Sequence, residues 1–543
     1  MSKWHGNPWA VLITLSLGFF MTLLDLTIVN IAIPNMVDKL GASLDQVLWI
    51  SNAYTLVLAV TLITAGRLGD LRGKKSLFLT GVVVFTMASL ACGLAQNPAQ
   101  LIAARAVQGF GAALMLPQTL SIIVDIFPAE RRGAALGIWG SVAGLSTVAG
   151  PTVGGLLVTE FSWRWIFFVN LPIGILVLLA AIPILPGGRR VPGQRLDVRG
   201  VVLATATLFC FAFALTEGPR YGWDGRVWAF VAAGVVLLAA LLVQQRRQQE
   251  RQPLIPFSLF GDRNFTLMNV VAVCVSFGVM GLFLTMTIYL QSVLGFSALK
   301  AGLVMAPTSV AAMLVAGPVG KLVDRFGGKY ILMTGLVLYA AGTLWLATAA
   351  GVGRSWTAVL PAFILAGIGF GCTFTPMTTE AMRNVPPRLS GAASGVSNTI
   401  RQVGSVLAGA AVGAILQNQL AAALREQARQ RAAEVPAPYR DHFVQGFADA
   451  GKHGLEVGTG QVATAGSPAG LPQDVADRIH GVATQVFEHG FVSAMRPAMI
   501  VPVLVVLLGA LACLPVRVSR PGGPARQGQV ESAPATPADA AIG

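Results

Sequence analysis

Apolar residues in this chain gather into runs about as long as a helix needs to cross a lipid bilayer. Roughly twenty residues at 1.5 Å each cover about 30 Å of hydrocarbon. Such runs recur about fourteen times, near 9–33, 46–66, 76–96, 99–124, 133–158, 165–186, 199–217, 227–244, 265–291, 299–319, 329–350, 355–377, 389–416 and 492–515. With 54% hydrophobic and only 11% charged residues, against about a quarter charged in soluble domains, a water-soluble fold is excluded. The prediction is an all-α membrane protein with about fourteen transmembrane helices.

The formal charge of +14 would suit a nucleic-acid partner only if the basic residues formed a patch. They lie instead between the spans. Alternate loops carry Arg67, Arg72, Lys74, Lys75, Arg131, Arg132, Arg189, Arg190, Arg246, Arg247, Lys321, Arg325 and Lys329, while the intervening short loops carry little beyond Lys39, Arg164, Arg220, Arg226, Lys300 and Arg354. Positive charge collects in cytoplasmic loops. The rich set is therefore predicted inside, both termini cytoplasmic, in the cell inner (plasma) membrane, with no nucleic-acid partner. The five cysteines fall in or at the ends of apolar runs without metal or disulfide spacing. The first run is too long for a signal-peptide core and continues into Asp25, so it is expected to stay as a span.

Two stretches repeat. Gly66-Arg67-Leu68-Gly69-Asp70-Leu71-Arg72-Gly73-Lys74-Lys75 follows span two, and Gly320-Lys321-Leu322-Val323-Asp324-Arg325-Phe326-Gly327-Gly328-Lys329 follows span ten without a gap in the alignment. Gly133-Ala134-Ala135-Leu136-Gly137 opens span five and Gly391-Ala392-Ala393-Ser394-Gly395 opens span thirteen. Spans one to six and nine to fourteen thus form a parallel repeat, as in transporters built from two related bundles around a central site. The expected organisation is a six-helix bundle over 1–186, basic loops and two inserted spans over 187–264, and a second six-helix bundle over 265–515. The polar segment 417–490 reads as a long outer loop whose first part forms an amphipathic surface helix, and 516–543 as a disordered cytoplasmic tail. His442, His453, His480 and His489 fit no metal motif.

Particular motifs resemble those of the major facilitator superfamily. The Gly66–Lys75 stretch is similar to its signature between spans two and three and implies a conformational latch built on Gly66, Arg67, Gly69, Asp70, Arg72 and Gly73, with Asp324 and Arg325 in the second copy. Asp70 can accept from a helix N-terminus or pair with Arg67 or Arg72. In span four, Leu101, Arg105, Gln108, Gly109, Gly111 and Ala112 match a second motif; an Arg inside a membrane costs at least about 2.5 kcal/mol unless compensated, and snorkelling to the outer surface is the competing reading. Gly140, Gly144 and the run Gly150-Pro151-Thr152-Val153-Gly154-Gly155 resemble the motif of the superfamily's antiporters, which implies export; plain glycine-mediated helix packing is the alternative. Leu24 to Pro34, Trp163 to Gly174, and Asn398-Thr399-Ile400-Arg401-Gln402 resemble the fourteen-span drug:proton antiporter branch.

That resemblance implies two six-helix bundles around a central cavity and proton-driven efflux of lipophilic or amphiphilic small molecules, with no cofactor beyond the proton gradient, no metal and no enzymatic activity, in a monomer. A lipid or glycolipid translocator of the same fold is the alternative. Span ten lacks an acidic residue, which favours neutral or singly charged substrates over dications. Asn30, Gln108, Met280, Phe283, Asn398, Arg401 and Gln402 are expected to line the cavity, with ordinary packing the competing reading for Met280 and Phe283. Asp25 lies roughly 12 Å and Arg105 roughly 9 Å from the same membrane face, so the two can meet as a proton-coupling pair.

Overall fold

The computed structural model describes residues 6–40, 44–187, 196–218, 221, 223–250, 253–450 and 473–517. The tail beyond 517 and the loop residues 451–472 lie outside the described residues. Within them the chain is helical, with α1 (Pro8–Leu40), α2 (Leu44–Arg72), α3 (Lys74–Leu94), α4 (Pro98–Ile126), α5 (Arg132–Glu160), the short α6 (Trp165–Phe168) and α7 (Asn170–Ile184) forming a first bundle. A hairpin of α8 (Val198–Glu217) and α9 (Gly225–Gln248) follows, then the short α10 (Ser258–Gly261). The second bundle comprises α11 (Arg263–Ile288), α12 (Ala298–Phe326), α13 (Lys329–Ala349), α14 (Leu360–Met382), α15 (Ser390–Arg431) and α17 (Gln473–Ala512), with α16 (Arg440–Ala450) between the last two. Thirteen helical segments among the described residues are long and apolar enough to cross a membrane, and the 29-residue α5 supplies the fourteenth span.

Side-chain caps fix several helix starts. Asn97 accepts from the Gln100 N–H at 2.9 Å ahead of Pro98, and Asp224, Asp262 and Ser297 cap α9, α11 and α12, satisfying orphan N–H groups that lipid cannot. Span six is split into α6 and α7. Pro172 has no N–H for the carbonyl of residue 168 and its ring crowds that carbonyl, which accounts for the break beside Val169.

The bundles meet along two seams, α5 against α12 and α2 against α15, with α4 and α14 crossing behind them. The α8–α9 hairpin packs on α2 and touches α15, so the inserted spans sit outside the ring beside one seam. Segment 417–490 departs from the expected loop. Helix α15 has 42 residues, roughly 63 Å at 1.5 Å each, and continues well past the membrane-spanning length. Its buried Leu416, Leu420, Leu424 and Ala428 recur every fourth residue and pack with Ile479, Val482 and Val486 of α17 and Phe443 and Phe447 of α16. The helical stretch after Gln417 therefore spends its apolar stripe on a small helical cap.

Candidate functional site

Asp25 on α1 is fully buried inside the first bundle. Three side-chain donors converge on its carboxylate. Arg105 Nη1 donates to Oδ2, while Gln108 Nε2 and Asn170 Nδ2 donate to Oδ1 at 2.8 and 3.1 Å. The guanidinium also donates to Gln108 Oε1 at 2.7 Å and to the Ile50 carbonyl at 3.2 Å, and lies 4.4 Å above the Tyr54 ring. Ser89 accepts from Gln108 at 2.7 Å and from Asn170 at 3.3 Å. Five helices thus deliver one closed polar cluster into an apolar interior. Arg105 is 1% exposed, so it does not snorkel; the cost of placing it in the membrane is offset by a fully desolvated charge partner.

Gln108, expected in the substrate cavity, belongs to this cluster instead, because residue 108 lies one helical turn after 105 on the same face of α4. Asn170 is a member that sequence reasoning missed. It was visible only as a polar residue in the Trp163–Gly174 stretch, and the α6–α7 break sets its side chain against α1.

Helix α5 carries the small residues of the antiporter motif on two faces. A Cβ on Gly150 would lie 2.1 Å from Thr27 Oγ1, and one on Gly154 would lie 2.7 Å from Ile28 Cγ1, so α5 meets α1 immediately beyond Asp25. Thr27 Oγ1 also donates to the Ser146 carbonyl at 3.3 Å. On the other face a Cβ on Gly144 would lie 2.8 Å from the Ser309 carbonyl of α12, whereas Gly155 has ordinary clearance, 3.5 Å from Leu299. Pro151 lies within α5, and Asn30 within α1; their side chains are outside the described set.

At one end of the bundles the two repeats form matching clasps. Asp70 accepts from the Gly391 and Ala392 N–H groups at 2.9 and 2.8 Å, and Asp324 accepts from Gly133 and Ala134 at 2.7 and 2.9 Å. Each carboxylate thus sits on the first turn of a helix from the other bundle, where unpaired N–H groups and the helix dipole favour an anion. Gly66 and Gly320 permit this approach, since a Cβ at either would fall 2.4 or 2.3 Å from the carbonyl of Gly391 or Gly133. Gly69 lies against Gln118, whose Oε1 a Cβ there would meet at 2.0 Å. The turns after the aspartates use Gly73 at φ 102° and Gly327 at φ 82°, a left-handed conformation that glycine adopts cheaply.

Among the arginines expected in the latch, Arg67 is buried, but Arg72 and Arg325 are exposed and neither pairs with an aspartate among the described residues. Lys74 reaches Asp70 at 3.9 Å and also joins Asp125 and, at 2.6 Å, Ser390. In the second copy Glu380 accepts from the Gly328 N–H at 2.7 Å and pairs with Arg383 at 3.3 Å. The receiving pairs Gly133-Ala134 and Gly391-Ala392 stood out in the sequence as a repeat without a partner; the partner is the opposite aspartate.

Between the bundles lies a small cavity of about 30 Å³, lined from the first bundle by Leu120 and Trp139 and from the second by residues including Met268, Met377, Asn398 and Arg401. Arg401 donates to Asn398 Oδ1 and lies 5.3 Å from the Phe374 ring centroid. Gln402, Met280 and Phe283 are not among its lining residues; Phe283 packs against the second bundle's own core. On α11 the face bearing Met268, Asn269 and Ala272 looks into the cavity.

Two pseudo-symmetric helical bundles with a central cavity, reciprocal clasps at one end and an enclosed acid–base cluster define a polytopic membrane transporter. The model of the Major Facilitator Superfamily matches residues 15–409, and the chain belongs to that family. It is 37% identical over 514 residues, covering 94% of this chain and 82% of the other, to an uncharacterized MFS-type transporter, Rv1250, of Mycobacterium tuberculosis. It is 34% identical over 526 residues to the tetracenomycin C resistance and export protein of Streptomyces glaucescens, covering 95% and 93% of the two chains. A crystal structure of a double tryptophan mutant of XylE superposes with a TM-score of 0.59 at 12% identity, covering 95% of this chain and 97% of that one, which shows the shared fold.

Proposed function

We propose that this protein is a proton-coupled antiporter that exports lipophilic or amphiphilic small molecules by alternating access. The observation that carries this reading is the Asp25–Arg105–Gln108–Asn170 cluster, seated next to the Gly150–Thr27 and Gly154–Ile28 crossings of α5 on α1. Helix α5 touches α1 on one face and α12 on the other. A movement that opens the clasps must shift α5, and α5 is packed too closely on α1 to move alone. Displacing α1 draws Asp25 away from Arg105, and a buried carboxylate without its cation takes up a proton. Return of the pair releases it.

In this reading the clasp end faces the cytoplasm, as the basic loops there favour, both termini are cytoplasmic, and the helical cap of α15–α17 is outside. The membrane is the cell inner (plasma) membrane, the working unit is a monomer, and the energy source is the proton gradient without a bound cofactor. Residues 1–186 and 265–515 are the two bundles, the first of which lets α1 and α5 shift against α4, and 187–264 is peripheral to transport. The relatives' export and resistance functions support an efflux substrate of drug-like chemistry. Purified protein in liposomes, with an imposed pH gradient and a panel of lipophilic compounds, tests the proposal. Accumulation that needs the gradient is expected; gradient-independent movement of labelled lipid, with no drug flux, would replace it with lipid translocation.

A further inference from the structure

The central cavity holds a cation with no counter-charge. Arg401 sits eleven residues into α15, roughly 16 Å from its start, near mid-membrane. A guanidinium has five N–H donors; one reaches Asn398 Oδ1, and Cζ lies over the Phe374 ring, 5.3 Å from its centroid. No carboxylate among the described residues pairs with it, and no Asp or Glu lines the cavity. The contrast with Arg105 is direct: that buried arginine has Asp25, and Arg401 has only neutral neighbours. The other polar groups around it are largely committed elsewhere. Asn269 donates to the Phe265 carbonyl at 2.8 Å, Thr378 to the Phe374 carbonyl at 2.9 Å and Asn398 to the Ser394 carbonyl at 2.9 Å. The Ser397 hydroxyl, by contrast, is buried without a partner. The cavity therefore offers unspent donors and one positive charge, walled by Trp139, Met268 and Met377.

We propose that Arg401 anchors the anionic group of the substrate, and that the exported compounds are amphiphilic organic acids, carboxylates or ionised phenols on a flat apolar body. An acid oxygen takes the free guanidinium N–H groups, and the apolar body lies against Trp139 and the adaptable methionines, which repack around varied shapes. Planar, forked donation makes Arg better suited to this than Lys. The inference deepens the export reading and rests on it for the direction of transport, though not for binding.

The test compares 9-anthracenecarboxylate with its isosteric amide, by equilibrium binding to the purified full-length protein in nanodiscs. A charge-assisted contact in a desolvated site predicts that the acid binds at least about tenfold more tightly. Arg401→Gln should remove that preference, and Arg401→Lys should keep part of it. Wild-type protein that binds both probes equally, or neither, overturns the proposal, as does Arg401→Gln that keeps the preference. The wild-type comparison stands even if the variants fail to fold. Efflux of the same probes from energised vesicles separates the two readings. Efflux without preference for the acid sinks this inference alone, and acid-selective binding with no efflux of any compound sinks the export reading alone.

Discussion

Replacing Asp70 with Asn removes the charge from one clasp and leaves a single oxygen to face two backbone donors 2.9 and 2.8 Å away. Hydrogen bonds to a charged acceptor contribute about 1.5–3 kcal/mol and neutral ones about 0.5–1.5. Losing one bond and weakening the other should therefore cost the clasped state about 2–3 kcal/mol, a population change of about 30- to 150-fold. The same arithmetic applies to Asp324→Asn, whose donors are Gly133 and Ala134 at 2.7 and 2.9 Å. The assay is double electron–electron resonance between spin labels at exposed Ser76 and Arg388, which flank the α2–α15 seam. The wild type should give one short distance, each single mutant a mixture with a longer one, and the double mutant mostly the longer one. The decisive feature is equivalence: if Asp70→Asn opens the seam and Asp324→Asn leaves the distribution untouched, the second repeat is no clasp and the pseudo-symmetric account is wrong.

Gly150→Val should overpack the α1–α5 crossing by about 1–3 kcal/mol, since even a Cβ would lie 2.1 Å from Thr27 Oγ1; flux should vanish with insertion intact, and normal flux would reduce the crossing to incidental packing. Leu424→Ala deletes a side chain only 6% exposed in the helical cap and should cost about 2–4 kcal/mol, read as a lower temperature for reaction of the buried Cys210 and Cys513 with a thiol dye; an unchanged profile would mean the cap is not packed. In a background without native cysteines, Ala422→Cys should react with an impermeant maleimide on intact cells and Ser76→Cys should not; the reverse pattern overturns the orientation.

Much of this site was legible because membranes make charge expensive. Asp25 and Arg105 had to be explained wherever they fell, and their depths along two spans were enough to bring them together. The aspartate repeat was equally plain, and so were the Gly-Ala pairs that receive it; only their pairing across the bundles needed coordinates, because sequence offset within one bundle says nothing of its docking on the other. Azimuth around a helix was the main loss. Gln108 turned into the Asp25 cluster and Phe283 to its own bundle's core, since apolar periodicity is blurred where lipid and protein interior are both apolar. The cap was hidden for the opposite reason. Its first stretch read as an amphipathic helix on the membrane surface and the rest as polar loop, whereas the four-residue recurrence of Leu416, Leu420 and Leu424 is buried against α16 and α17.

Asp25→Asn tests proton coupling most directly. It keeps shape while removing titration, and it leaves Arg105 buried beside neutral partners. In proteoliposomes driven only by a pH difference, the variant should bind substrate yet fail to concentrate it, although it exchanges substrate across the membrane without a gradient. Arg105→Lys, which keeps the charge but loses the fork that spans Asp25, Gln108 and Ile50, should retain more flux than Arg105→Ala. Concentration of substrate by Asp25→Asn vesicles under a pH difference alone would place the transported proton elsewhere and contradict the account.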